Sequence, residues 1–270
     1  MDDQDVVPPI SIAVDGGEIL AWICGAGDPA IVLMHGWTLD HRVWHPQLDD
    51  AALTARHRLV AVDRRGFGRS SAPPDLGREA ADLLALLDRL EIARAILVGQ
   101  SQAGRVALQT ALDHGDRVAG LVLVGAPVSG FHPLPRPEED VPVAHCRALI
   151  ADGRIDEMRR LWAAHPLIAN GGGDDALIGA MLHDYDGRDL LAAPSPPGPD
   201  IQQIGAIAAP ALVVTGNNDT PWRRLVGDAI AYALPQGQRA HLPDAGHLCN
   251  VDAPVAFNRL LGDFTASLDG

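Results

Sequence analysis

The segment Gly99-Gln100-Ser101-Gln102-Ala103-Gly104 is the most reactive arrangement in the chain. It follows the apolar run Ala95–Val98 and precedes a helical pattern at Arg105–His114. A serine at a sharp strand-to-helix turn is held in strained backbone geometry with its hydroxyl pushed outward. The turn brings the residues two before and two after the serine together, so both must be small; here they are Gly99 and Ala103. Ser101 is therefore the candidate nucleophile. A hydroxyl attacks a carbonyl only when a base removes its proton. Eleven histidines are present, and His247 stands out by its place. In Leu242-Pro243-Asp244-Ala245-Gly246-His247 it follows the last strand-like run and precedes the final helix. His57 and His114, at element edges, read as surface residues. An imidazole base needs a carboxylate to fix its tautomer and stabilise its cation. Asp219, in Gly216-Asn217-Asn218-Asp219 after the preceding strand, is the candidate. Asp219 also has a reading as a helix cap before Pro221. Asp244 is a rival acid, whose own reading is to hold its loop by backbone hydrogen bonds.

The elements that must position these groups alternate along the chain. Ser11–Val14 and Glu18–Cys24 flank the turn Asp15-Gly16-Gly17. Short apolar runs follow at Ala30–Met34, Arg58–Val62, Ala95–Val98, Val118–Val124, Ala211–Thr215 and Arg239–Leu242. Runs of this kind suit strands buried on both faces of a parallel sheet. Helical patterns lie between them at Glu79–Leu90, Arg105–His114 and Trp222–Leu234, with a last one from Pro254 to Leu268. Strand–helix–strand order predicts an open α/β sheet with right-handed crossovers. In such sheets, sites form beyond the carboxyl ends of the strands, where Ser101, Asp219 and His247 all fall.

One stretch breaks the rhythm. Residues 127–203 are rich in Pro, Gly and Asp and hold helical patches at Val143–Ala151, Ile155–Ala164 and Ala176–His183. A segment this long is no ordinary loop. It is expected to be a helical cap after the sixth strand, set on a core built from 1–126 and 204–270.

Composition excludes several function classes. The chain has 270 residues, is 47% hydrophobic and 21% charged, and so is expected to be globular with a large core. Its net charge is −14, and every one of the 21 basic residues other than histidine is Arg. Without a basic stripe, neither nucleic acid nor an anionic membrane surface is an expected partner. Without Lys, a Schiff-base lysine and the Walker phosphate loop are excluded. Cys24, Cys146 and Cys249 are too few and too scattered for a disulfide framework or a four-cysteine zinc site, and read as reduced thiols. No apolar run is long enough to span a bilayer, and the acidic start Met1-Asp2-Asp3-Gln4-Asp5 is unlike a signal peptide. A cytoplasmic location is expected.

Serine, acid and base in that chain order resemble the α/β-hydrolase family. His35-Gly36-Trp37 resembles the family's oxyanion loop, and Asp63-Arg64-Arg65-Gly66-Phe67-Gly68-Arg69-Ser70 its D-x-R-G-x-G-x-S turn. The resemblance covers essentially the whole chain. It implies a mostly parallel eight-stranded sheet with the second strand antiparallel, flanking helices, a helical cap and no cofactor. By motif position, the backbone N–H groups of Trp37 and Gln102 would form the oxyanion hole. His35 would brace its loop, and Asp63, Arg65 and Arg69 would lock a turn. There is some likeness to cofactor-free perhydrolase and arylesterase relatives, from which the chain departs at Thr38, where they carry Pro, and at Gln102, where they carry Met or Thr.

A serine nucleophile implies an acyl-enzyme, hence an ester or lactone of a small, mostly apolar substrate. A carbon–carbon hydrolase or lyase reusing Ser101, Asp219 and His247 is an alternative, as is a ligand-binding receptor with slow hydrolysis. His35, Trp37, Phe131 and Trp162 are the expected substrate contacts. Cap arginines such as Arg147, Arg154, Arg159 and Arg160 would suit an acid group, but read as solvated helix faces. No H-x-x-x-H pair occurs among the cap histidines, so no metal site is read. Monomer and homodimer both stay open.

Overall fold

Turn chemistry and buried apolar runs together produce one sheet. The computed structural model describes residues 8–134, 141–194 and 196–268. The acidic start Met1–Asp5 therefore lies outside the described residues. The strands are β1 (Ile10–Val14), β2 (Gly17–Cys24), β3 (Ala30–Met34), β4 (Leu59–Asp63), β5 (Ala95–Gln100), β6 (Val118–Val124), β7 (Ala211–Gly216) and β8 (Gly237–Leu242). They assemble in the order β1-β2-β4-β3-β5-β6-β7-β8. β2 runs antiparallel to both neighbours, and the pairings from β4 through β8 are parallel. β3, β4, β5 and β7 are buried at every residue, as their unbroken apolar sequences require. β8 is an edge strand and is only partly buried along most of its length.

The strand order reverses between β3 and β5, the position where an open α/β sheet leaves a crevice. Glu79–Arg89, Gln102–Asp113, Pro221–Ala233 and Pro254–Ala266 are the long helices outside the insertion. Each predicted helix is present, with ends displaced by at most three residues. Two apolar clusters form, one around Val32, Leu97 and Leu108, the other around Leu33, Val98 and Val214.

Between β6 and β7 lie helices at Val143–Ala151, Ile155–Ala163, Pro166–Ala169, Asp175–Asp184 and Arg188–Leu191. The two short ones were not legible in the sequence, because a single turn carries no periodicity. Met158, Trp162 and Met181 are buried in the same cluster as Leu33 and Val98 of the sheet. The inserted helices therefore complete the core over one sheet face and have no separate core of their own. Among the described residues, no helix is long and apolar enough to cross a membrane.

Candidate active site

Ser101 sits between β5 and the helix Gln102–Asp113 with φ 47° and ψ −120°. This left-handed geometry is costly for a residue with a Cβ and persists only where its surroundings impose it. The surroundings are tight. The Ser101 N–H donates to Val124 O at 2.7 Å, and the Gly104 N–H donates to Ser101 O at 2.8 Å. A Cβ on Gly99 would lie 2.7 Å from both Gly104 Cα and Ala103 O, which explains the small residue there.

His247 follows β8 and Asp219 follows β7. The His247 Nδ1 lies 2.9 Å from Asp219 Oδ2, with both side chains buried. Since a carboxylate only accepts, Nδ1 is the donor of this pair, which in a neutral imidazole leaves Nε2 as the acceptor. Nε2 is buried and has no hydrogen-bond partner among the described residues. His247 and Ser101 line the same cavity, of about 440 Å³. The other oxygen, Asp219 Oδ1, accepts the Thr220 N–H at 2.7 Å, so the aspartate orients the imidazole and steadies its own loop at once. Asp244, the rival acid, is exposed. The loop-holding role expected of Asp244 belongs to Asp252, which accepts the Gly246 N–H at 2.8 Å. Gly125, just past β6 with φ 57°, makes room for the base: a Cβ there would lie 2.5 Å from His247 Cε1.

The loop after β3 faces the serine. A Cβ on Gly36 would lie 3.3 Å from Ser101 Cβ. The N–H groups of Trp37 and Gln102 find no acceptor among the described residues, and both residues line the cavity. His35 braces this loop from beneath. Its Nδ1 bonds Gly36 O at 2.8 Å, and its Nε2 accepts the Arg64 N–H at 3.1 Å. Complete burial, aided by the Arg64 guanidinium, pushes its pKa down to about 4, so His35 is a neutral strut. Arg64 also reaches His35 O and Gln102 Oε1 and forms a two-pronged pair with Glu79.

Thr38 adopts φ 65°, a value closed to the proline carried by the relatives noted above. Its hydroxyl donates to Trp37 O at 2.6 Å and accepts Trp162 Nε1–H at 2.8 Å. Trp37 Nε1–H donates to Asp189 Oδ2 at 2.8 Å, and Tyr185 O–H donates to Asp189 Oδ1 at 2.5 Å. Burial raises the pKa of Asp189 above the usual carboxylate range. The inserted helices are thus fastened directly onto the loop that faces Ser101.

Two of the four expected substrate contacts need correction. Trp37 and Trp162 line the cavity, with Leu39, Phe67, Leu167 and Leu248. His35 does not line it, and its two ring nitrogens are engaged by Gly36 O and the Arg64 N–H. Phe131 does not either, since it stacks on Trp222 with ring centroids 5.9 Å apart. His57 is also no surface residue: it is buried, with Nε2 3.0 Å from Thr265 Oγ1. The turn-locking network exists with specific partners. Asp63 accepts the N–H groups of His41 and Arg69, while Arg65 forks onto Asp82. Asp40, His41 and Asp63 bring possible metal-ligand atoms within 4.8 Å of one another. However, His41 Nδ1 is already bonded to Asp63 at 2.8 Å, and Arg42 occupies Asp40.

Comparison with known proteins shows the family and the fold. Residues 29–144 match the family model of the alpha/beta hydrolase fold. A protein of Variovorax paradoxus (strain S110), provisionally named carbamate hydrolase RutD, is 34% identical over 269 residues, which cover 89% of this chain and 93% of the relative. The chain belongs to the α/β-hydrolase family. A pimeloyl-[acyl-carrier protein] methyl ester esterase of Yersinia enterocolitica is 30% identical, covering 91% of this chain and 96% of that one. The fold matches a thermophilic esterase from Thermogutta terrifontis with a TM-score of 0.75 at 24% identity, over 97% of this chain and 99% of the other.

In this α/β-hydrolase, the sequence reading missed a buried amide network. Gln100 Oε1 accepts the Gly36 N–H at 3.2 Å, and Gln100 Nε2 donates to Asn250 Oδ1 at 2.8 Å. Asn250 Nδ2 donates to Val43 O, and Gln47 Nε2 donates to Asn250 O and Asn258 Oδ1. Gln100, directly before the nucleophile, was the one available signal, as a polar residue at the end of an apolar strand. Gln47 and Asn250 gave no local sign of burial.

Proposed function

We propose that this chain is a cofactor-independent serine hydrolase that cleaves a carboxylic ester or lactone through an acyl-enzyme on Ser101. The observation that carries the reading is His247. Its Nδ1 is held by Asp219, its Nε2 has no partner among the described residues, and His247 and Ser101 line the same cavity. That arrangement suits proton removal from a hydroxyl.

In the proposed reaction, the Ser101 hydroxyl oxygen bonds to the carbonyl carbon while His247 Nε2 takes its proton. The oxygen that becomes negative is stabilised by the N–H groups of Trp37 and Gln102, the latter at a helix N-terminus whose dipole favours negative charge. The C–O bond to the leaving alcohol breaks as His247 returns the proton to it. His247 then deprotonates a water that attacks the acyl carbon, and Ser101 recovers its proton as the acid departs. Asp219 stabilises the imidazolium in each half-reaction. Residues 127–203 act as a cap, with Trp37 and Trp162 contacting the substrate.

The substrate is a small molecule whose body is mostly apolar, in keeping with Leu39, Phe67, Leu167 and Leu248 in the cavity lining. The names of the relatives put methyl esters and carbamates on the substrate panel, since both have an acyl carbon open to the same attack. The test is steady-state turnover of short-chain p-nitrophenyl esters by the wild type and by Ser101→Ala. Many turnovers per enzyme, abolished in the variant, are expected. Equal rates in both would overturn the reading, and a single turnover would favour a receptor.

A further inference from the structure

Most charged groups lining the cavity are held by side-chain partners among the described residues, and two arginines are not. Glu79 holds Arg64 with both oxygens, Asp75 is taken by Arg78 and the Gly77 N–H, and Asp189 by Trp37 and Tyr185. Arg65 is forked onto Asp82, and Arg223 is engaged in contacts of its own. Arg105 and Arg147 remain. Both line the cavity. Neither has a carboxylate partner among the described residues, and each spends one donor on a backbone carbonyl. Arg105 Nη2–H donates to Pro196 O, and Arg147 Nε–H donates to Leu190 O at 2.8 Å.

These bonds orient each guanidinium and leave most of its donors unused. Arg147 keeps both terminal nitrogens, which is the fork that matches a carboxylate. Arg105 is half-buried, and burial lowers its pKa, so an anion beside it would recover charge stabilisation that water no longer supplies. Among the described residues neither guanidinium is bonded to a carboxylate, and Glu79 acts on Arg105 only through space, so both cations keep donors free for an anion in the cavity. Position sets the scale: Arg105 lies one helical turn past Ser101, a rise of about 6 Å.

We propose that Arg105 and Arg147 form an anion subsite, so that the substrate is an ester or lactone bearing a carboxylate a few carbons from the scissile carbonyl. This rests on the hydrolase reading for the reaction, though not for the binding. It refines the expectation of a mostly apolar substrate: the body of the substrate is apolar and its far end is negative.

The test is calorimetric binding of monomethyl glutarate and of methyl pentanoate, its uncharged counterpart, to Ser101→Ala, which cannot turn over the ester by the proposed route. The monoester is expected to bind about tenfold tighter, with the margin narrowing as salt is raised. Adding Arg105→Gln or Arg147→Gln should each cut that margin severalfold, and Arg105→Lys should retain part of it. Arg154→Gln, on the exposed face of the cap, controls for net charge. Equal binding of the two esters, or an unchanged margin in both Arg→Gln variants, would overturn the subsite. In parallel, wild-type turnover of p-nitrophenyl pentanoate reports on the hydrolase reading. Turnover without a binding preference refutes the subsite alone, and a preference without turnover refutes the hydrolase reading alone.

Discussion

Gln100 and Asn250 lie 150 positions apart and share a buried hydrogen bond of 2.8 Å. Gln100 immediately precedes Ser101, and Asn250 lies three residues past His247. Through its other amide atom, Gln100 also holds the Gly36 N–H, so three loops from different strand ends are joined at one side chain. A buried network of this kind stabilises only when every member is satisfied. Asn250→Leu strands Gln100 Nε2 and removes the donor to Val43 O. The expected cost is roughly 3 kcal/mol, together with a lower kcat as the Gly36 loop loosens. Urea unfolding and steady-state kinetics on the same preparation check both.

Asp219 and Asp244 separate cleanly. Asp219→Asn keeps the volume but lets Nδ1 become the acceptor, which favours the wrong tautomer. Turnover is expected to fall by about 10⁴-fold, as for the same change in a serine protease. Asp244→Asn, on an exposed residue, is expected to leave kcat within about twofold of wild type, in line with surface substitutions generally. Parallel kcat measurements on the two variants decide which carboxylate serves His247.

Gly125→Ala tests the packing around the base. The added methyl would meet His247 Cε1 at 2.5 Å and Nδ1 at 2.7 Å, and the φ of 57° is itself costly for alanine. Displacing the ring by about 1 Å is expected to lower kcat by about 10²-fold. Stability should drop by only about 1–2 kcal/mol, because the strain is local. Thermal melts beside kinetics separate a moved histidine from an unfolded protein.

His35 makes stability depend on pH. Its pKa is about 4 in the fold against an ordinary 6.5. As pH falls below about 6.5, the unfolded chain binds a proton that the folded chain refuses until about pH 4. Stability is therefore full above this window and is lost going down through it, by roughly 3 kcal/mol in all. His35→Gln removes the titration. Between about pH 7 and about pH 4.5, unfolding free energies from urea titrations should fall by about 2–3 kcal/mol more in the wild type than in this variant.

Most of the sheet, and the placing of Ser101, Asp219 and His247 at strand ends, were legible because their signals are local. An apolar run ending in Gly99 and followed by Ser101 states its own geometry, and Pro221 marks the helix after Asp219. What escaped depends on contacts between distant segments. Asp189 carries no local signal, and its role emerges only from the bonds it accepts from Trp37 and Tyr185. Arg147 reads as a solvated helix face until the cavity wall includes it. His35 and Phe131 were misplaced for the same reason: residue type and chain position do not say whether a ring faces the cavity or lies beneath it.

The most direct measurement is the site of reaction with a fluorophosphonate, located by peptide mass spectrometry in the wild type and in His247→Ala. A single phosphonyl adduct on Ser101, lost when His247 is removed, is the predicted result. An adduct on another serine, or none on the folded wild type, would contradict an activated Ser101 and with it the proposed chemistry.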